Sequence, residues 1–80
     1  MADITLFGNG HCKDCRAARS YLDQHDVAYD YVDVEAVPEA IDKVKEYNGG
    51  RTSVPVVVFG DGTHLTEPSD AELAVKLGQI

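Results

Sequence analysis

The chain has 80 residues, of which 44% are hydrophobic, and its formal net charge is -7 at pH 7. A chain of this length buries roughly 60–65% of its unfolded surface, which leaves no room for a second domain or a large cofactor pocket, so we predict a single domain over residues 1–80. The charge argues against nucleic acid and anionic lipid as partners. Because no apolar run approaches the roughly 20 residues of a membrane span, and Met1-Ala2-Asp3 lacks the regions of a signal peptide, we expect a cytoplasmic protein.

The first half of the chain predicts a strand, a helix, a second strand and a second helix. Residues 4–7 are β-prone and bounded by Gly8, and residues 28–34 are again rich in β-formers. The first helix runs from Lys13 to about His25, and Pro38 opens the second helix, which Asn48-Gly49-Gly50 ends. The residues that support these elements are Cys15, Ala18, Tyr21 and Leu22 in the first helix, Tyr29 and Tyr31 with Val27 on one side of the second strand, Asp30 and Val32 on its other side, and Ile41, Val44 and Tyr47 in the second helix.

The second half predicts a β-hairpin and a last helix. Residues 54–59 are the most apolar run and predict a central strand, which Gly60-Asp61-Gly62 turns into a partner strand over residues 63–65. Ser69 and Glu72 form a capping box at the start of a helix whose apolar stripe is Leu73, Leu77 and Ile80, with Ala74 beside it. The order β-α-β-α-β-β-α predicts an α/β fold with a mixed four-stranded sheet, three helices, and helices on both faces.

Cys12-Lys13-Asp14-Cys15 contains the only two cysteines, one turn apart at the predicted start of the first helix. Two thiols at this spacing are close enough to close and reopen a disulfide. Cys12 would occupy the N-cap, where unpaired N–H groups and the helix dipole favour a thiolate, the nucleophilic form of cysteine. Lys13 adds a cation there, and Asp14 opposes it. We predict that Cys12 is the exposed attacking thiol and that Cys15, on the apolar side, is the shielded thiol that resolves the mixed disulfide.

Other uses of a cysteine pair are a structural staple and a metal site. Cysteines of a reducing compartment indicate catalysis or metal binding rather than a staple. A zinc ion requires four ligands, and the remaining candidates are His11, His25 and His64. Covalent haem attachment is excluded because Arg16, not histidine, follows the second cysteine.

Pro55 is anomalous inside a predicted central strand because proline cannot donate a ladder hydrogen bond. A cis Val54-Pro55 bond at the start of the strand would resolve this anomaly. It would also leave the backbone of Val54 free to pair with an extended substrate placed against Cys12.

Four further residues are predicted to bind substrate, and for two more this function stays open. His11 either contacts substrate or tunes Cys12, or is an exposed loop histidine, and Lys13 is a candidate by its position between the cysteines. Ser69 and Asp70 begin the last helix, and such a start can either be a simple cap or bind a substrate carboxylate. Solvated loop polarity and ligand contact are both open for Arg51 and Thr52.

The chain resembles the glutaredoxin family of the thioredoxin fold over nearly its whole length. The cysteine pair and Val54-Pro55 carry the likeness to the superfamily. Two stretches are similar to the pattern of the actinobacterial mycoredoxins: Asn48-Gly49-Gly50 and Phe59-x-Asp61-Gly62-x-x-Leu65-Thr66-x-Pro68-Ser69. This resemblance implies a thioredoxin-like fold.

The resemblance also implies an oxidoreductase that reduces mixed disulfides between proteins and a low-molecular-weight thiol. That thiol is mycothiol in mycoredoxins and glutathione in ordinary glutaredoxins, and it is a co-substrate, with no other cofactor. By position, Cys12 would receive the small thiol, Cys15 would be the second cysteine, and the Val54 backbone would hold the substrate. The start of the last helix would lie near the polar end of the thiol.

The chain departs from the usual glutaredoxin pattern at three places, and the mildest departure is Ser53 where threonine usually precedes Val-Pro. Lys13-Asp14 stands where Pro-Tyr or Gly-Tyr is usual, and Glu67-Pro68 replaces the Gly-Gly that precedes the last helix of many glutaredoxins. Two other functions therefore stay open: a thioredoxin-like electron donor recycled by thioredoxin reductase, and a metal-binding module. We expect a monomer whose partners are a low-molecular-weight thiol and disulfide-containing proteins.

Overall fold

The computed structural model describes residues 3–78, and the predicted order of strands and helices is confirmed there. Ile80, predicted in the stripe of the last helix, lies outside the described residues, as do Met1 and Ala2 of the N-terminal segment. The elements are β1 (Thr5–Gly8), α1 (Lys13–Gln24), β2 (Asp30–Asp33), α2 (Ala40–Tyr47), β3 (Val56–Val58), β4 (His64–Thr66) and α3 (Asp70–Lys76).

The sheet has the strand order β2-β1-β3-β4 and is mixed, as predicted. β1 pairs with β2 in parallel and with β3 antiparallel, and β3 pairs antiparallel with β4. The hydrophobic strand β3 therefore lies inside the sheet. Gly8 was predicted to bound the first strand, but it lies within β1, paired with Asp33, and its carbonyl accepts a hydrogen bond from the N–H of Val34 at 2.9 Å.

Helices cover both faces of the sheet. The side chains of a strand alternate between its faces, so the apolar residues of the central strands point to both faces and pack against helices on each. Leu6 and Val57 face α1 and α3, whereas Val56 faces α2. The predicted sides of the second strand are confirmed for its large residues. Val27, Tyr29 and Tyr31 pack on the hydrophobic cluster that contains Leu6 and Val57. Val32 packs on the cluster that contains Val56.

The helix ends agree closely with the sequence, except at Pro38. The second helix begins at Ala40, and Pro38 lies in a preceding turn in which its carbonyl accepts from the N–H of Ile41 at 3.1 Å. A difference of two residues is ordinary where a tight turn leads into a helix. Gly49, with φ 65°, and Gly50, whose N–H donates to the Lys45 carbonyl at 2.8 Å, end α2 as predicted.

The capping box of the last helix is confirmed. Ser69 accepts from the N–H of Glu72, and the Glu72 carboxylate accepts from the N–H of Ser69. Leu73 and Ala74 are buried in the hydrophobic cluster that contains Leu6 and Val57, and Leu77 packs against that cluster. Across residues 3–78, none of the helices has the length and apolar character that crossing a bilayer requires.

Candidate active site

Cys12 is the N-cap of α1, as predicted. Its backbone is extended, with φ -84° and ψ 116°, and its Sγ accepts a hydrogen bond from the N–H of Cys15 at 3.1 Å. An N–H group aimed at the sulfur from the first turn of a helix stabilises negative charge on that sulfur. The side chain is partly exposed, so a disulfide can reach it.

Cys15 is buried, with 0% of its surface exposed, on the side of α1 that faces the sheet. Its burial, followed by a hydrogen bond with the Cys12 side chain, raises the pKa of the Cys15 thiol to about 12, against an opposing hydrogen bond from the backbone of Asn9. Cys15 is therefore a protonated thiol at neutral pH. This shielded placement is the one that the sequence predicted for the second cysteine.

Gly8 is a site residue that sequence reasoning missed. The end of β1 passes directly beneath α1, and a Cβ at this position would lie 2.9 Å from the Cys15 Sγ and 3.1 Å from the Cys15 Cβ. Real Cβ atoms essentially never approach other atoms so closely, so only glycine leaves room for this thiol. A glycine at the end of a strand, just before the cysteine motif, was the available signal.

The Val54-Pro55 peptide bond is cis, as predicted. This segment lies against the cysteines: the Cys12 thiol donates a hydrogen bond to the Val54 carbonyl at 3.7 Å, across 42 positions of the chain. Pro55 is buried beneath it. Within residues 3–78, the N–H of Val54 has no hydrogen-bond partner.

Two further residues hold this segment, and neither was predicted to belong to the site. The Asn48 side chain donates to the Ser53 carbonyl at 2.8 Å, and the N–H of Glu67 donates to the Pro55 carbonyl at 2.8 Å. The sequence indicates Asn48 as part of a helix stop and of the mycoredoxin-like pattern, but not as a residue of the site. Its contacts depend on the path of the chain between α2 and β3, which periodicity does not describe.

Among residues 3–78, the remaining predicted site residues form no hydrogen bond or ion pair with the cysteines or with Val54. His11 has a side chain that is 87% exposed and lies 3.7 Å from the Glu35 carboxylate, measured from Nε2 to Oε1. Lys13 is exposed at the first position of α1. Ser69 and Asp70 are exposed, and within the described chain no hydrogen bond or ion pair joins them to a cysteine. Arg51 and Thr52 are exposed as well.

A metal site would require several His, Cys, Asp or Glu side chains to lie close together. Among residues 3–78, no group of three or more His, Cys, Asp or Glu side chains is arranged to hold a metal ion.

A dithiol at the start of a helix, beside a cis-proline segment and on a β-α-β-α-β-β-α sheet, defines a thiol–disulfide oxidoreductase with a thioredoxin-like fold. The glutaredoxin family model matches residues 4–65, so the chain belongs to the glutaredoxin family. The enzyme class and the family that the sequence indicated are thus confirmed.

Individual relatives agree with this assignment. Mycoredoxin 1 of Corynebacterium glutamicum is 38% identical over 77 residues, which cover 96% of this chain and 95% of the relative. The glutaredoxin-like protein NrdH of Lactococcus lactis is 28% identical over 58 residues, covering 72% of this chain and 78% of the relative. The crystal structure of a glutaredoxin from Archaeoglobus fulgidus superposes with a TM-score of 0.80 at 27% identity, covering 96% of this chain and 87% of that one.

Proposed function

We propose that this protein reduces mixed disulfides between proteins and a low-molecular-weight thiol, with mycothiol preferred to glutathione. The observation that carries the proposal is the position of the Cys12 sulfur: partly exposed, 3.1 Å from the N–H of Cys15 and 3.7 Å from the Val54 carbonyl. The full-length similarity to a mycoredoxin supports mycothiol. Glu67-Pro68, in place of the Gly-Gly of many glutaredoxins, also argues against glutathione.

The first step is attack of the Cys12 thiolate on the sulfur of the small thiol in the mixed disulfide. The bond between that sulfur and the substrate protein breaks, the substrate leaves as a thiolate and takes up a proton, and a new disulfide joins Cys12 to the small thiol. No prosthetic group takes part, because the small thiol is the co-substrate and the source of electrons.

The second step releases the small thiol from Cys12. Either Cys15 attacks Cys12 and expels the small thiol, leaving a Cys12–Cys15 disulfide, or a second small-thiol molecule attacks and leaves as its own disulfide. Because its pKa is about 12, Cys15 loses its proton only at a cost. Cys15 is therefore the slower nucleophile towards small-thiol adducts, and it is needed for disulfides within one protein.

Binding of the substrate chain is assigned to the segment beside Cys12. The N–H of Val54 would donate to an extended substrate backbone, as in strand addition, and Pro55 would hold Val54 in place. Following the family resemblance, His11 and Lys13 would line the entrance to the thiol, and Ser69 and Asp70 would lie near the polar end of the small thiol.

The test is a reductase assay on one peptide carried as two mixed disulfides, one with mycothiol and one with glutathione, each assayed with its own thiol. We expect faster turnover with mycothiol, no turnover by Cys12→Ser, and retained turnover by Cys15→Ser. Full activity of Cys12→Ser would overturn the assignment of the attacking thiol. Activity only with thioredoxin reductase would instead favour the electron-donor alternative.

A further inference from the structure

Three successive carbonyl groups beside the active site have three different hydrogen-bond partners. The Ser53 carbonyl accepts from the Asn48 side chain at 2.8 Å, the Val54 carbonyl from the Cys12 thiol at 3.7 Å, and the Pro55 carbonyl from the N–H of Glu67 at 2.8 Å. The two short bonds flank the long one. The direction of the Val54 peptide group is therefore set by its neighbours and not by its own contact with sulfur.

Asn48 is the side chain in this arrangement. It caps the C-terminus of α2, and by bonding to Ser53 it closes the exposed loop formed by residues 49–52. Its other amide atom, Oδ1, accepts from the Thr66 hydroxyl at 2.6 Å, at the end of β4. One amide thus links α2, β4 and the segment before the cis-proline.

A side-chain amide carries both groups that these two bonds require. Asparagine offers an N–H donor and a carbonyl acceptor, whereas aspartate has only acceptors when ionised and alanine has neither. The Ser53 carbonyl can only accept, so Nδ2 must face it, and this leaves Oδ1 facing the Thr66 hydroxyl. The bond from that hydroxyl to Oδ1 holds the amide group at its second end. Thr66 also pairs with Val56 in the sheet, so it is held by the backbone ladder.

We propose that Asn48, held at its second amide atom by Thr66, is a positioning residue that keeps the Val54 backbone in register with the Cys12 sulfur. This inference rests on the proposed function, in which the Val54 N–H docks the substrate. Asn48 touches neither substrate nor the reacting sulfur atoms. Its loss would therefore weaken docking of an extended disulfide substrate and spare the reaction of Cys12 with a small reagent that needs no docking.

The experiment compares Asn48→Ala, Asn48→Asp and Thr66→Val in the Cys15→Ser background, where Cys12 is the only thiol. With the peptide–mycothiol mixed disulfide, we expect the KM of both Asn48 variants to rise about tenfold, with kcat nearly unchanged. A factor of about ten is what the loss of one neutral hydrogen bond of ordinary strength produces. Agreement between the neutral and the charged replacement separates the lost bond from the added charge. Alkylation of Cys12 by iodoacetamide should change by less than about twofold.

Thr66 provides the second arm. Thr66→Val should raise KM by a smaller factor, about threefold, because Asn48 keeps its bond to Ser53 but loses the second hydrogen bond that holds its Oδ1. Thr66→Ser, which keeps the hydroxyl, should restore the lower KM. An unchanged KM in both Asn48 variants would overturn the proposal. An equal loss in kcat/KM and in the rate of alkylation would overturn it as well, and would leave Asn48 a purely structural cap.

A spectroscopic readout separates this inference from the proposed function. In ¹H–¹⁵N spectra, Asn48→Ala should shift the amide resonances of Val54 and Cys12 and leave those of the last turn of α1 in place. If the Val54 and Cys12 resonances shift in Asn48→Ala but the parent protein turns over neither mixed disulfide, the proposed function is refuted and the positioning role is retained. Unmoved Val54 and Cys12 resonances would refute the positioning role, whatever the activity.

Discussion

Replacing Gly8 by alanine tests how tightly β1 packs beneath the buried thiol. The added Cβ would lie 2.9 Å from the Cys15 Sγ, 3.1 Å from its Cβ and 3.3 Å from Leu6 Cδ2. Neither side chain can swing away into solvent, since Cys15 and Leu6 are both fully buried. Adding one methyl group to such a contact typically costs about 1–3 kcal/mol in the free energy of unfolding.

Gly10→Ala is the matched control. No heavy atom lies within 4 Å of the Cβ that this change would add, and the position is exposed. We therefore expect its free energy of unfolding to stay within about 0.5 kcal/mol of the parent protein.

The assay is urea unfolding of the reduced protein with both variants, compared at a common slope. Gly8→Ala should unfold at a clearly lower urea concentration than Gly10→Ala. If α1 must move outward to accept the methyl group, the displaced Cys15 should also react faster with iodoacetamide. Equal midpoints for the two variants would refute the close approach of β1 to Cys15.

Three other predictions concern pH, an ion pair and a helix cap. Folding raises the Cys15 pKa from 9.0 to about 12, so the buried protonated thiol favours the folded state fully below pH 9. Between about pH 9 and pH 12 the free energy of unfolding of the reduced protein should fall by about 1.4 kcal/mol per pH unit relative to Cys15→Ala. Parallel pH profiles of the two proteins would contradict this. Lys76 holds the pKa of the Asp61 carboxyl below its usual range across a 2.7 Å ion pair, so Asp61→Asn should lower Tm, and the loss should shrink in about 1 M NaCl; a salt-independent loss would exclude the ion pair as its cause. Ser69→Ala removes one half of the capping box and should cost about 1 kcal/mol in urea unfolding, while an unchanged midpoint would show that the cap contributes nothing.

The order of elements was predictable because each has a local cause. The apolar run before Phe59 and the Ser69 capping box identify their elements without any knowledge of the rest of the chain. The proline anomaly was equally informative, because a residue without an N–H cannot continue a ladder. β3 accordingly begins at Val56, immediately after Pro55, rather than at Val54 as predicted.

The parts of the site that the sequence did not predict arise from contacts between distant elements. Gly8 matters only because α1 packs Cys15 onto it, and a glycine beside a strand looks the same whether or not a thiol lies above it. Asn48 matters because the chain returns to it at Ser53 and again at Thr66, after turns whose geometry a periodic pattern does not specify. The placement of the cysteines was predictable, because the helical pattern of apolar residues after Lys13 puts Cys12 at the N-cap and Cys15 in the first turn.

The most direct test of the central claim is to locate the covalent intermediate. Reduced protein carrying Cys15→Ser, incubated with a peptide–mycothiol mixed disulfide, should gain the mass of one mycothiol, and peptide mapping should place it on Cys12. Release of the adduct by added mycothiol should restore the free thiol. An adduct of the peptide instead of mycothiol, or turnover without any adduct on Cys12, would contradict the proposed function.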